Sequence, residues 1–103
     1  MPILKRNCFH QEGDEINLME LQLTEGDCGG RHYNVGRDEV LVVLDGEVEI
    51  TLEGGKPIKL EAGTRWLKIE AGAIHQMRCL TSSAKVLEII VGEHFDGACI
   101  NID

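Results

Sequence analysis

Apolar residues fall at every second position through much of this chain. Residues 47–52 (EVEITL) show it most cleanly, with Val48, Ile50 and Leu52 on one face and Glu47, Glu49 and Thr51 on the other. That is the period of a half-buried strand, because successive side chains point to opposite sides of the backbone. The same reading predicts strands over residues 16–23 (INLMELQL), 39–44 (EVLVVL), 56–60, 65–69, 75–80 and 85–91. Between them stand turn residues: Glu25-Gly26-Asp27, Asp45-Gly46, Gly54-Gly55, Glu61-Ala62-Gly63, Ala71-Gly72 and Thr81-Ser82-Ser83. Asp45-Gly46, set between two apolar runs, predicts a tight hairpin, since glycine accepts the positive φ that such a turn demands. No stretch carries a helical stripe. Roughly seven or eight strands, with turns about every eight to twelve residues, define an all-β sandwich or barrel.

Length and composition narrow the picture. A chain of 103 residues is one domain with room for one core. Only Trp66, Tyr33, Phe9 and Phe95 are aromatic, so Leu, Ile and Val must build the interior, which suits strands. The expected division is an N-terminal segment over 1–15, a barrel over 16–92 and a tail over 93–103 that could add an edge strand. Formal charge is −8, and the ten lysines and arginines are scattered without a basic run. A nucleic-acid partner is disfavoured, since it needs a concentrated positive face. No apolar run is long enough to span a bilayer, and residues 1–15 lack the apolar stretch of a signal peptide. The expectation is a cytoplasmic protein without a membrane partner, with Cys8, Cys28, Cys79 and Cys99 as free thiols.

One strand carries a residue out of keeping with its neighbours. If Glu39 points inward, Leu41 and Val43 point inward with it. A carboxylate on a buried apolar face is costly unless it is paired or bound to a cation. Just before it stand His32 and Asn34, and from Gly26 the chain reads GDCGGRH, one residue, Asn34, four residues, Glu39, six residues, Gly46. This resembles the first motif of the cupin superfamily: glycine, His-x-His, Glu, then Gly after six residues. Gly63 and the run Glu70-Ala71-Gly72-Ala73-Ile74-His75 resemble the second, a glycine followed by a Pro-x-Gly-x-x-His turn. The resemblance extends over about residues 16–91. Three positions depart from it: Asn34 stands for a histidine, Glu70 for a proline and Cys79 for an asparagine.

The resemblance implies a single conical antiparallel barrel, the jelly-roll or double-stranded β-helix. It also implies a divalent transition metal (Fe, Mn, Ni or Zn) held by His32, Glu39 and His75, with positions left open for a substrate. Asn34 would fill the fourth position as a weak ligand, a water holder or a substrate contact. Counting in twos puts Leu41 and Val43 with Glu39, and Met77 and Cys79 with His75, as cavity-lining residues. His10 reads as a solvated loop residue, His94 as structural or exposed, Trp66 as packed on the barrel or at a subunit contact, and Arg65 and Arg78 as exposed.

Two functions fit. One is a small metalloenzyme acting on a polar metabolite (a sugar, sugar acid or related organic anion) by Lewis-acid chemistry such as isomerisation or dioxygenation. The other is a non-catalytic cupin that binds or senses a small molecule with a degenerate metal site. Small cupins generally dimerise, and Val40, Val42 and Leu44 make the face opposite Leu41 and Val43 apolar too, so a homodimer is expected.

Overall fold

The alternating stretches become strands wherever one face can be buried against another sheet. The computed structural model describes residues 5–10, 16–92 and 99–102, with side chains over 18–91 and at 100 and 102. In chain order the strands are β1 (Lys5–His10), β2 (Ile16–Thr24), β3 (His32–Asn34), β4 (Arg37–Asp45) and β5 (Glu47–Leu52). They continue as β6 (Ile58–Glu61), β7 (Trp66–Ile69), β8 (His75–Cys79), β9 (Ser83–Gly92) and β10 (Cys99–Asn101). Two five-stranded sheets result, ordered β1-β2-β9-β4-β7 and β10-β3-β8-β5-β6. Every pairing between them is antiparallel. No helix occurs among the described residues. The fold is the all-β double-stranded jelly roll that the alternation and the motifs led us to expect.

Chain crossings between the sheets make it a roll. The path passes from one sheet to the other at every step after β2 except β5–β6, which stays within the second sheet. Inward positions then meet across the gap: Leu21, Leu23, Leu41, Val43, Ile69, Ala84 and Val86 from one sheet, and Val48, Ile50, Leu60 and Cys79 from the other. Val48, Ile50, Leu60 and Val86 have no exposed surface at all. Burying an aliphatic side chain of this size contributes about 1.5–3 kcal/mol each, so this core is the main source of stability.

Asp45-Gly46 does not form the expected hairpin. β4 pairs with β7 and β9, whereas β5 pairs with β6 and β8. Only Gly46 separates the two strands, one residue fewer than a two-residue hairpin loop needs. The chain instead turns a corner between sheets, and the β4–β9 ladder shifts register between Val43 and Asp45. Gly46 has φ of +77°, and a Cβ there would collide with the Ser83 carbonyl oxygen and lie 2.7 Å from Thr81 Oγ1. Thr81 Oγ1 accepts a hydrogen bond from the Glu47 amide (3.1 Å) and donates one to the Ser83 carbonyl (2.7 Å), which locks the corner. The hairpin that does form at a glycine pair is β5–β6, across Gly54-Gly55.

Two strands, β1 and β3, were not expected. β1 lies in the N-terminal segment and pairs along its length with β2, whereas β10 is the edge strand the tail could add, beside β3. His10 therefore sits in a strand rather than a loop, because its backbone pairs with Asn17. His94, and the side chains of Cys8 and Cys99, lie outside the described residues. Cys28 and Cys79 are free thiols. No helix among the described residues is long and apolar enough to cross a membrane.

Candidate metal centre

The site is assembled by strand register. β3 is three residues long, yet it pairs on one side with β10 and on the other with β8, where His32 stands directly opposite His75. Their rings lie 4.1 Å apart, tilted by 60°. Glu39 comes from the opposing sheet, on the inward row of β4 above Leu41 and Val43. The turn before His75 is tied to both sheets near that point. The Gly72 amide donates to the Asn34 carbonyl (2.7 Å), and the Ala71 amide donates to Asp38 Oδ1 (2.9 Å).

One ligand atom from each of His32, Glu39 and His75 lies within 4.8 Å of the other two. Two donors held about 2.1 Å from one ion can be at most about 4.2 Å apart. A closure of roughly half an ångström, within the reach of side-chain rotation, would therefore seat an ion. His75 Nε2 and Glu39 Oε2 are already 3.4 Å apart. His75 Nδ1 is 2.9 Å from the Ala73 carbonyl, and His32 Nδ1 is 3.1 Å from the Gly30 carbonyl. A carbonyl can only accept, so each Nδ1 carries the proton and Nε2 keeps its lone pair when the ring is neutral. His75 Nε2 is buried with no hydrogen-bond partner among the described residues. A buried polar atom of that kind is costly unless something fills its lone pair. The residues present fit a metal ion.

Electrostatics at the centre are set by the Glu39 carboxylate, which is only 3 % exposed. Burial pushes its pKa up, but His75, Glu88 and Asn34 outweigh burial and hold the carboxyl below its ordinary range. Burial likewise pushes the His75 imidazolium down, while the Glu39 carboxylate and the Ala73 carbonyl more than offset it and leave His75 raised. Without metal the two buried side chains thus satisfy each other as an ion pair. His32, Glu39 and His75 would hold a metal ion in place of the imidazolium proton.

Asn34 is buried, and its Nδ2 donates to Glu39 Oε1 at 3.1 Å. The amide that replaces a motif histidine therefore orients Glu39, leaving Oε2 toward His75. Leu41, Val43 and Cys79 sit in the closed core, with Met77 packed against it. The Cys79 thiol donates to the Thr81 carbonyl at 3.3 Å. Arg65, Arg78 and Trp66 are exposed, Trp66 by 62 % on the outward side of β7.

Two inward residues escaped the motif reading. Glu88 lies between buried Val86 and Ile90 on β9, opposite Leu41, and its side chain hydrogen-bonds Glu39. Counting in twos along residues 85–91 would have exposed it as a carboxylate on an apolar row. Arg37 precedes Glu39 by two residues and shares its strand face. A cavity of about 230 Å³ reaches His75 from the side of Arg31, Glu53 and Gln76. A larger depression of about 450 Å³, bounded by Gln22, Asp45 and Lys85, lies at the other end of the first sheet and touches none of these residues.

A two-sheet β-roll with an inward His/Glu/His group that could hold a metal ion is the class of small barrel that the fold and the site define. The family model described as "Cupin domain" matches residues 18–90, and the chain belongs to the cupin family. Its fold is similar to that of a conserved protein of unknown function from Streptococcus pyogenes, at 22% identity and TM-score 0.76, covering 90% of this chain and 77% of that one. It is similar to KdgF from Halomonas sp., at 19% identity and TM-score 0.77, covering 88% and 82%. It is also similar to the DMSP lyase DddQ from Ruegeria pomeroyi, at 21% identity and TM-score 0.81, covering 95% of this chain but 51% of that one. Likenesses this remote in sequence establish the fold. Comparison with curated proteins gives no match.

Proposed function

We propose that the chain is a metal-dependent cupin acting on a small polar metabolite, a sugar, sugar acid or related organic anion. His32, Glu39 and His75 would hold Fe, Mn, Ni or Zn. The observation that carries this reading is the convergence of His32, Glu39 and His75 at the barrel's inner face, with one ligand atom of each within 4.8 Å of the others. A bound ion of this kind supplies Lewis-acid polarisation of a substrate oxygen, which serves isomerisation, or dioxygenation with iron. The chain's own residues do the rest. Carbonyls 30 and 73 fix the imidazoles, Asn34 fixes Glu39, and the apolar rows beneath keep water out of the barrel. That one structural neighbour is a lyase supports catalysis on this fold without naming the reaction here.

A second reading, a binding or sensing cupin without metal, draws on the Asn34 and Glu88 hydrogen bonds to Glu39. They leave the carboxylate well satisfied with no ion present. Metal analysis separates the two readings. Chain purified without an affinity tag should carry, or take up, about one metal per site, with a rise in melting temperature. Absence of metal, with no thermal response to added Fe(II), Mn(II), Ni(II) or Zn(II), would favour the second reading.

Cytoplasmic location, a small-molecule ligand and self-association belong to the same proposal. Leu44 and Trp66 are exposed on the outward face of the first sheet, beside half-buried Val40 and Val42. A second copy covering this face would remove apolar surface from water. Sedimentation should report a dimer at micromolar concentration; monomer alone would contradict it.

A further inference from the structure

An arginine at the start of a strand is ordinarily solvated, its guanidinium hydrated at every nitrogen. Arg37 differs. It opens β4 on the same inward row as Glu39, Leu41 and Val43, and it is only half exposed. Its Nε is buried with no hydrogen-bond partner among the described residues. Neighbouring Asp38 points the other way, to Lys68 and the Ala71 amide, and does not pair with Arg37. The other inward acidic residues near the centre are Glu39 and Glu88, and a hydrogen bond from the Glu88 side chain helps to hold the Glu39 carboxyl down.

We infer that Arg37 anchors the carboxylate of the ligand, whose second oxygen faces the His32–Glu39–His75 group, so that the site takes small hydroxy- or oxo-carboxylates rather than neutral sugars. A guanidinium edge presents Nε–H and one Nη–H in parallel, the fork that matches two carboxylate oxygens. A carboxylate there would satisfy the orphaned Nε, which a neutral hydroxyl does with a single weaker bond. Two residues of strand span about 6.6 Å. A ligand bridging Arg37 and the metal group therefore needs its carboxylate and second oxygen only a few bonds apart. The inference deepens the metal-dependent reading above and rests on it.

The probes are 3-hydroxybutyrate and 1,3-butanediol, which share a skeleton and differ in the carboxylate. Each is titrated by calorimetry into zinc-loaded protein, into Arg37→Gln and into Arg37→Lys, with zinc content measured on all three. The parent should bind the acid more tightly than the diol by roughly tenfold to a hundredfold. Arg37→Gln should lose that preference while retaining zinc and its melting temperature within a few degrees, and Arg37→Lys should keep part of it. A parent that loads zinc but prefers neither probe, or an Arg37→Gln variant that keeps the preference, overturns the role of Arg37 alone. A parent that takes up no zinc overturns the metal reading and this inference with it.

Discussion

Replacing His75 with glutamine tests the buried ion pair on which the metal-free site depends. Glutamine fills most of the imidazole volume and stays polar, but it cannot carry a charge. His75 and Glu39 are 2 % and 3 % exposed, and the facing atoms are 3.4 Å apart. At an effective dielectric of about 20 the attraction of two unit charges at that distance is about 5 kcal/mol. Desolvation of both groups offsets more than half, leaving a net contribution of about 2 kcal/mol. His75 is raised above its ordinary value of 6.5, so its contribution is fully present below that pH and is lost as pH rises through the folded value. Glu39 is lowered below 4.5, so its contribution is present above that pH and is lost as pH falls through its folded value. The pair thus stabilises most between about pH 4.5 and 6.5. Urea unfolding of chelator-treated protein, followed by far-UV circular dichroism because Trp66 is too exposed to report on the core, measures the cost. His75→Gln should cost more at pH 5.5 than at pH 8.5, by up to about 2 kcal/mol. Equal cost at both pH values would mean that the two groups are not coupled, and the electrostatic account of the site would fail.

Asn34→His should tighten metal binding at least about tenfold, and lower metal-free stability by about 1 kcal/mol through loss of the bond to Glu39 Oε1; unchanged metal affinity in a calorimetric titration would show that position 34 does not face the ion. Gly46→Ala should destabilise by about 3 kcal/mol, because φ is +77° and the added Cβ meets the Ser83 carbonyl; a variant as stable as the parent in urea would refute the corner geometry. Metal uptake should release protons and strengthen as pH rises through the raised value of His75, since the ion and the proton compete for Nε2. Affinity that does not change between pH 6 and 8 would argue against His75 as a ligand.

Fold class and the heart of the site were legible because both rest on local pattern. Period-two alternation located β2 and every strand from β4 to β9, since each must bury one face. The inward turn of Glu39 followed from the same count along Leu41 and Val43. What stayed hidden depended on partners distant in sequence. β3 is too short to alternate, and β1 is a strand only through its pairing with β2. The Asp45-Gly46 corner misled because the dipeptide marks a tight turn but does not say which sheet the next strand joins. The nearness of His32 to His75, and the hydrogen bonds of Asn34 and Glu88 to Glu39, required the register of four strands. Arg37 stood in plain view two residues before Glu39, yet its orphaned Nε is a property of the folded chain.

The central claim is that His32, Glu39 and His75 hold a metal ion. Elemental analysis of untagged protein, before and after incubation with Fe(II), Mn(II), Ni(II) or Zn(II) and desalting, tests it most directly when run beside His75→Ala. The account predicts about one ion per chain in the parent and a loss of at least about a hundredfold in affinity in the variant. A parent that retains no metal, or a His75→Ala variant that retains as much as the parent, would contradict it.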